Sequence, residues 1–288
     1  MIAHVAAASE QRGRVVLHLT SGHPNQIALA AAIRVAKAFE SEVESLFIED
    51  QNLYACADYP FAVEISLCGR TRRALSVAHV EREFRHAASA IGRQLDQLAR
   101  CAEVPLRRTV VRDDPFTALA RACAERGPWN LIALGDTVGA TASDDIRRLF
   151  ETVLDTTGVI LTGPRARRNS GPLVVVLEDI AHLEPMLRTA ARLAPEDGDT
   201  PITLLLVADS ADKVAWMEGQ VRLVLGANQT PQLARAVVEP GGEAVLAEVV
   251  RRLQGGLVIA EFGGVLIPAS GDIRYLTSSL ECPLLLMR

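Results

Sequence analysis

The sequence predicts an α/β protein made of two tandem, doubly wound domains, each with a five-stranded parallel sheet. Short runs rich in Val, Leu and Ile alternate with amphipathic segments along the 288 residues, which is the pattern of strands joined by crossover helices. Hydrophobic residues make up 49% of the chain and aromatic residues only 4%, as expected for parallel strands buried under helices. The third observation is an internal repeat.

The repeat is clearest near the end of each copy. A strand at 131–134, a glycine-containing loop and the run 143–149 return as a strand at 257–260, a glycine pair and the run 270–276. The two seven-residue runs share Ser, Asp, Ile, Arg and Leu at matched places. We therefore expect two copies of one domain.

The repeat also sets the domain boundaries. We expect a disordered N-terminus at 1–13, a first domain at 14–163, a linker at 164–172 and a second domain at 173–288. The first copy is longer because of an insertion at about 51–73, which leaves the predicted sheet at the carboxyl end of a strand. A packed surface excursion is favoured over a lid above the crevice.

The elements of the first domain follow from periodicity and capping residues. Pro24 suits a helix start, and Asp114 with Pro115 is typical of an N-cap followed by the first helical position. The run Gly135 to Ser143 is predicted to be a loop. Strands are predicted at 15–19, 43–48, 106–111, 131–134 and 159–161, and helices after Pro24 and at 75–102, 116–125 and after the loop.

The second domain repeats this order after a linker that carries Arg165, Arg167 and Arg168, which we expect to be solvated. Its strands are predicted at 173–177, 202–207, 233–239, 257–260 and 284–286, and its helices at 184–194, 212–225, 242–253 and before the last strand.

Composition excludes several functional classes. A net charge of −5 does not favour binding to nucleic acid. Five cysteines without a C-x-x-C pair argue against a disulfide framework or a zinc site, and we expect them to be core residues in a reducing compartment. No apolar run of about 18 residues and no leader are found. We therefore expect a cytoplasmic protein without a membrane partner.

Two passages resemble the universal stress protein family in its tandem two-domain form. The first runs from Asp114-Pro115 to the strand that ends in Gly135, and the second is the run Glu281-Cys282-Pro283 before the last strand. The resemblance implies the same fold, with the strands at 159–161 and 284–286 pairing antiparallel. The two domains would then pack as an intramolecular pseudo-dimer.

The nucleotide-binding members of that family carry Gly-x2-Gly-x9-Gly-(Ser/Thr) after the fourth strand and an acidic residue after the first strand. The first copy keeps Gly135, but Val138 takes the second glycine position, with Gly139 one place late. In the second copy Glu261 replaces the first glycine and Gly264 matches the second. Both copies lack the final Gly-Ser pair, since they have Leu149-Phe150 and Arg274-Tyr275 there.

The acidic position after the first strand is Thr20-Ser21 in one copy and Glu178-Asp179 in the other. Neither copy therefore has the whole set. The candidate ligand-binding residues are Thr20, Ser21, Gly135, Asp136, Thr137, Gly139 and Ser143, with Glu178, Asp179, Gly263, Gly264 and Ser270 as their counterparts. The glycines are also explained by loop geometry alone, and Ser143 and Ser270 by helix starts.

We therefore expect a non-enzymatic regulatory or stress-response protein that is not a tight ATP binder and has no cofactor. The alternative is a module that binds ATP, ADP, AMP or another small ligand in the crevice of the first domain. A nucleotide hydrolase or transferase is a third hypothesis, but no base or metal ligand set is visible. Apart from the pairing of the two domains, a homodimer and an unidentified protein partner remain open.

Histidines at two places could carry further chemistry. His79, Glu83 and His86 share one face of the long helix, which suits a metal, although a mixed solvated face is favoured. His18 lies in an apolar strand, where a satisfied, half-buried histidine is favoured over a catalytic base. Cys282 is expected to be buried, and a redox role would require exposure.

Overall fold

The computed structural model describes residues 13–22, 24–66, 68–125, 129–136, 143–194, 201–225, 231–239, 241–270 and 273–288. Strands and helices alternate in both halves, as predicted. The first half contains β1 (Arg14–Leu19), α1 (Gln26–Ala38), β2 (Glu42–Asp50), α2 (Gln51–Ala57), β3 (Val63–Ile65), β4 (Arg72–Ala74), α3 (Val77–Ala102), β5 (Leu106–Asp113), α4 (Pro115–Glu125), β6 (Asn130–Leu134), α5 (Ser143–Thr152) and β7 (Thr156–Leu161).

The second half has the same order without the insertion. Its elements are β8 (Leu173–Leu177), a 3-10 turn (Ile180–His182), α6 (Leu183–Leu193), β9 (Ile202–Ala208), α7 (Ala211–Leu225), β10 (Gln232–Val237), α8 (Glu243–Arg252), β11 (Leu257–Glu261), α9 (Arg274–Ser279) and β12 (Leu284–Met287).

Ten strands of the described residues form one sheet, in the order β5-β2-β1-β6-β7-β12-β11-β8-β9-β10. Neighbouring strands within each half are parallel. The α/β class and the mostly parallel sheet are confirmed. In each half the strand order reverses beside the first strand, between β1 and β6 and between β8 and β11. A crevice at such a switch point is where ligands bind in open α/β sheets.

Strand registers show which positions of the two halves correspond. Val15 pairs with Val43 on one side and Leu131 on the other. Leu173 pairs in the same way with Ile202 and Leu257. Counting along the strands from these pairs shows that Thr20 of the first half corresponds to Glu178 of the second half. In the same way, Gly135 corresponds to Glu261.

The halves meet where β12 pairs antiparallel with β7. This seam joins apolar residues, with Leu285 opposite Ile160 and Leu286 opposite Val159. The two antiparallel neighbours are the last strand of the first half and the last strand of the second half, which is the pair that the resemblance implies. Because the ten strands are continuous, the division into two separate domains stays a prediction.

Helices cover both faces of the sheet, and strand alternation decides which core each side chain enters. Leu17 packs in the core under α1, α3, α6 and α7, whereas Val16 packs in the core under α4, α5, α8 and α9. Both side chains have no exposed surface. No helix among the described residues is long and apolar enough to cross a membrane.

Two helix starts illustrate how local sequence acts. The Asp114 carboxylate accepts a hydrogen bond from the Thr117 N–H at 3.0 Å, which confirms it as the cap of α4. The expected role of Pro24 is wrong, because α1 begins at Gln26 and the Asn25 side chain caps it by accepting from Ile27 N–H. An asparagine oxygen satisfies a free N–H of the first turn, which proline cannot do.

The linker is bound to the second half rather than free. The N–H groups of Arg167 and Arg168 donate to the Glu281 carbonyl at 2.7 and 2.9 Å, and the Arg168 guanidinium lies 3.1 Å from the Glu281 carboxylate. The expectation of a solvated linker is therefore wrong for Arg168, which is half-buried.

The cysteines divide into two groups. Cys123 and Cys282 are buried, as expected, and burial raises the pKa of each thiol to about 12. Cys56, Cys68 and Cys101 are exposed, so the expectation of five core cysteines is wrong for these three. They lie in the insertion and at the end of α3, where the chain does not cross the sheet.

The insertion has one packed part and one exposed part. In α2, the Tyr54 ring lies 5.6 Å from the Phe84 ring, and its hydroxyl donates to Glu49 at 2.8 Å. The β3–β4 hairpin follows, with Phe61 77% and Ile65 60% exposed. The packed-excursion interpretation thus describes α2, whereas the apolar side chains of the hairpin face outward.

Candidate functional site

The crevice of the first half is closed at its base by a hydrogen bond between two loops. Thr20 follows β1 and Asp136 follows β6, and the Thr20 hydroxyl donates to the Asp136 carboxylate at 2.6 Å. The Gly22 N–H donates to the Thr20 hydroxyl oxygen at 3.2 Å. The structure therefore brings these two candidate residues together, and it places a carboxylate at the switch point.

Gly135 has a structural reason to be glycine. A Cβ there would lie 2.7 Å from Leu19 Cδ2 and 2.8 Å from the His18 carbonyl oxygen. The Gly135 N–H donates to that carbonyl at 2.9 Å, and its own carbonyl accepts from the Asn25 N–H at 2.8 Å. This glycine lets β6 and the loop after β1 approach closely, so it is not evidence for a phosphate site.

His18 lies beneath this crevice. Its Nε2 is buried and has no hydrogen-bond partner in the described part of the chain. Burial lowers the pKa of His18, and the Asp136 charge acts weakly in the opposite direction. The expectation of a satisfied histidine is therefore wrong for Nε2.

Part of the predicted first-half site lies outside the described residues. This holds for Thr137 and Gly139, and for the side chain of Ser143, whose backbone begins α5. The described members of the set are Thr20, Ser21, Gly135 and Asp136.

A groove of about 630 Å³ opens beside Ser21 and Gly22 and is bounded by α3, including Glu83 and His86. It has the size of a small-molecule site. His79, on the same helix, lies 3.6 Å from Glu64 and 3.9 Å from Glu83. Within the described ranges, no group of three or more His, Cys, Asp or Glu could hold a metal.

The crevice of the second half is occupied by its own acidic residue. Glu178, at the position that corresponds to Thr20, reaches across from the end of β8 to the loop after β11. Its carboxylate accepts hydrogen bonds from the N–H groups of Val265 and Leu266, the latter at 3.0 Å. Adjacent N–H groups of this kind are the donors that bind an anion in phosphate-binding loops.

Gly264 makes this contact possible. A Cβ at Gly264 would overlap the Glu178 carboxylate. Glycine is therefore required here for the approach of a side chain of the same protein. A glycine at this position would suit either a phosphate group or a carboxylate of the same protein, and the structure contains the carboxylate of Glu178.

The other second-half candidates have structural roles or lie further out. Asp179 accepts from the Ala181 N–H at 2.9 Å and caps the 3-10 turn. Gly263 lies in the loop itself, and Ser270 is exposed beyond it. Glu261, the substitute for the first glycine, has its carboxylate 2.7 Å from His182 Nδ1.

Sequence reasoning missed His182, Val265 and Leu266. Glu178, a candidate ligand-binding residue, binds the loop of its own half instead. The sequence signal for this bond is the combination of an acidic residue after the first strand of the second copy with a glycine at position 264. A glutamate side chain is long enough to reach that loop from the end of β8.

Comparison with known proteins identifies the fold. No family model matches the chain, and no curated protein matches it. Among solved structures, a universal stress protein from Archaeoglobus fulgidus DSM 4304 is 13% identical, with 96% of each chain covered and a TM-score of 0.61.

Two further solved structures are similar to this chain. A putative universal stress protein from Pseudomonas aeruginosa UCBPP-PA14 is 13% identical over 97% of this chain and 94% of that chain, with a TM-score of 0.59. The cytoplasmic domain of a prokaryotic cation chloride cotransporter is 9% identical over 96% and 95% of the two chains, with a TM-score of 0.53. The protein has a universal stress protein-like fold.

Proposed function

We propose that this protein is a non-catalytic, cytoplasmic regulator of the stress-response type whose second half does not hold ATP. A fold that is shared by universal stress proteins and a transporter domain does not determine an activity. The proposal is therefore based on the crevices. The observation that carries it is the bond between the Glu178 carboxylate and the N–H groups of Val265 and Leu266.

A polyphosphate would have to displace Glu178 and then remain next to it. Like charges about 4 Å apart repel by roughly 4 kcal/mol at the effective dielectric of a partly buried site. The N–H groups that would offset this cost are already bonded to the carboxylate. An internal carboxylate also does not lose translational freedom on binding, which a nucleotide does.

The experiment is isothermal titration with ATP and magnesium of the wild type and of Glu178→Ala. The variant frees both N–H groups and removes one negative charge. We expect no saturable heat for the wild type at millimolar ATP and a saturable heat for Glu178→Ala, with a dissociation constant at least about tenfold below the highest ATP concentration used. Glu184→Ala is the matched control, because Glu184 is an exposed acid that pairs with Arg188 on α6.

Two results would contradict the proposal. The first is micromolar ATP binding by the wild type that Glu178→Ala leaves unchanged. The second is steady release of phosphate from ATP with magnesium, since the protein is proposed to be non-catalytic.

A second candidate function is a small adenine ligand in the first half. The groove beside Ser21 and Gly22 favours it, because its volume of about 630 Å³ suits a nucleoside. The Asp136 carboxylate would act against phosphate groups at the same place. A ligand of this groove should therefore be adenosine or AMP rather than ATP.

The order of affinities tests this candidate. Titration with adenosine, AMP and ATP should give an affinity that falls as phosphates are added. Replacement of Ala90, an exposed residue of α3 that lines the groove, by Trp should abolish the heat of adenosine binding. Absence of heat for all three compounds at millimolar concentration would exclude this function.

A further inference from the structure

A cavity of about 290 Å³ lies at the seam, on the face of the sheet that α1 and α6 cover. It is bounded by Leu131 of β6, Leu285 and Met287 of β12, and the rings of Phe39 and Trp129. The cavity thus belongs to both halves of the protein and is separate from both crevices. Sites between packed units are common positions for small-molecule binding.

Most of the side chains that line this seam cavity are apolar. Leu131 and Leu285 are buried core residues with 3% and 0% exposure. The Phe39 and Trp129 rings meet edge to face, with centroids 5.5 Å apart. Arg34 of α1 donates to the Leu193 carbonyl of α6 at 3.3 Å, so the two covering helices are tied together. An apolar ligand body would therefore meet a surface that is already formed.

Two polar groups of α6 line the same cavity. The Arg192 guanidinium lies over the Phe39 ring, 5.6 Å from its centroid, and has no ion-pair partner among the described residues. The Thr189 side chain is 9% exposed, and its hydroxyl has no hydrogen-bond partner in the same part of the chain. Both groups are donors, one turn apart on one helix face.

We propose that the seam cavity binds a small amphipathic carboxylate. The apolar body, the size of one aromatic ring or a short branched chain, packs against the edges of the Phe39 and Trp129 rings and against Leu285. The carboxylate accepts from Arg192, which suits the planar fork of guanidinium, and from the Thr189 hydroxyl. The volume is near the lower end of the range for ligand pockets, roughly 300–1,000 Å³, which limits the size of the ligand.

The site also has a consequence for the whole protein. A ligand here contacts β6 and β12 and both covering helices, so it binds the joined halves and not the separated ones. It therefore stabilises the seam by an amount that grows with the logarithm of its concentration over its dissociation constant. This inference does not depend on the nucleotide properties of either crevice.

The test uses the fluorescence of Trp129. The chain has two tryptophans, and Trp216 is 54% exposed on α7, so Trp216→Phe leaves Trp129 as the only reporter. This variant is titrated with 4-phenylbutyrate and with the neutral isostere 4-phenylbutanamide. We expect a saturable change in Trp129 emission with the acid, and binding of the amide weaker by at least about tenfold.

Arginine variants in this background complete the test. Arg192→Gln should weaken 4-phenylbutyrate by at least about tenfold and leave the affinity of the amide unchanged. Arg188→Gln is the matched control, because Arg188 is an exposed arginine on the same helix that pairs with Glu184, and it should have no effect. Thermal melts check that each variant is folded. If an arginine variant does not fold, the proposal is still tested by the ratio of the affinities of the Trp216→Phe protein for the acid and for the amide.

The proposal is overturned if Trp129 emission does not respond to millimolar 4-phenylbutyrate. It is also overturned if the acid and the amide bind equally well, or if Arg188→Gln weakens binding as much as Arg192→Gln.

Discussion

Replacement of Leu285 tests the seam that joins the two halves. Leu285 has no exposed surface and pairs with Ile160 across the antiparallel contact of β12 and β7. Leu285→Ala removes buried methyl groups from that contact. Leu285→Lys also places an ammonium group beside the seam cavity. No acidic side chain lines this cavity among the described residues, so the ammonium group would find no partner there.

The structure sets the size of the effect. A buried Leu→Ala change costs about 2–5 kcal/mol, the sum of lost transfer free energy and the remaining cavity. Full burial places Leu285 in the upper part of that range. Leu285→Lys should cost more, because a buried, unpaired charge adds a desolvation penalty. Against a total stability of about 5–15 kcal/mol, Leu285→Lys should leave little folded protein.

The assay is urea unfolding followed by circular dichroism, with Leu285→Ala as the variant that stays measurable. Val237→Lys is the control, because Val237 is 52% exposed on the edge strand β10 and the change there should stay within about 0.5 kcal/mol. A loss below about 1 kcal/mol for Leu285→Ala would refute the reasoning that the seam is a buried structural contact.

Three further predictions concern single side chains. A hydrogen bond from the Ser66 side chain lowers the pKa of the exposed Cys68, so mass spectrometry should find Cys68 alkylated first and the two buried thiols unmodified at neutral pH. Burial lowers the pKa of His18, so the unfolded chain takes up a proton on this residue at a higher pH than the folded protein does. The free energy of unfolding should therefore fall as the pH drops below about 6.5. Urea unfolding at several pH values should show that a His18→Leu variant loses this part of the pH dependence. Asp114→Ala removes the cap bonded to Thr117 and should cost about 1 kcal/mol in thermal melts. Equal alkylation of all thiols, an unchanged pH slope or an unchanged melt would each contradict the corresponding prediction.

The order of strands and helices could be predicted because periodicity is a local property. Runs such as 173–177 are buried on both sides and are apolar throughout, and Asp114 with Pro115 sets a helix start without tertiary help. The pairing of the last strands followed from the resemblance, and the register then placed Leu285 against Ile160.

The contents of the crevices could not be predicted in the same way. Whether Glu178 faces a ligand or its own loop depends on the distance between two segments 87 residues apart in sequence, and no local pattern encodes that distance. The same holds for the seam cavity, since Trp129 and Arg192 become neighbours only when the halves join. The exposure of Cys56 and Cys68 also depends on the insertion, which has no counterpart in the second half to compare with.

The central claim is that the Glu178 carboxylate occupies the anion-binding N–H groups of the second half. The most direct measurement is ¹⁵N-edited NMR of the wild type during an ATP titration, following the amide resonances of Val265 and Leu266. We expect both resonances to stay in place up to millimolar ATP and to move in Glu178→Ala. A saturable shift of both resonances at micromolar ATP in the wild type would contradict the claim.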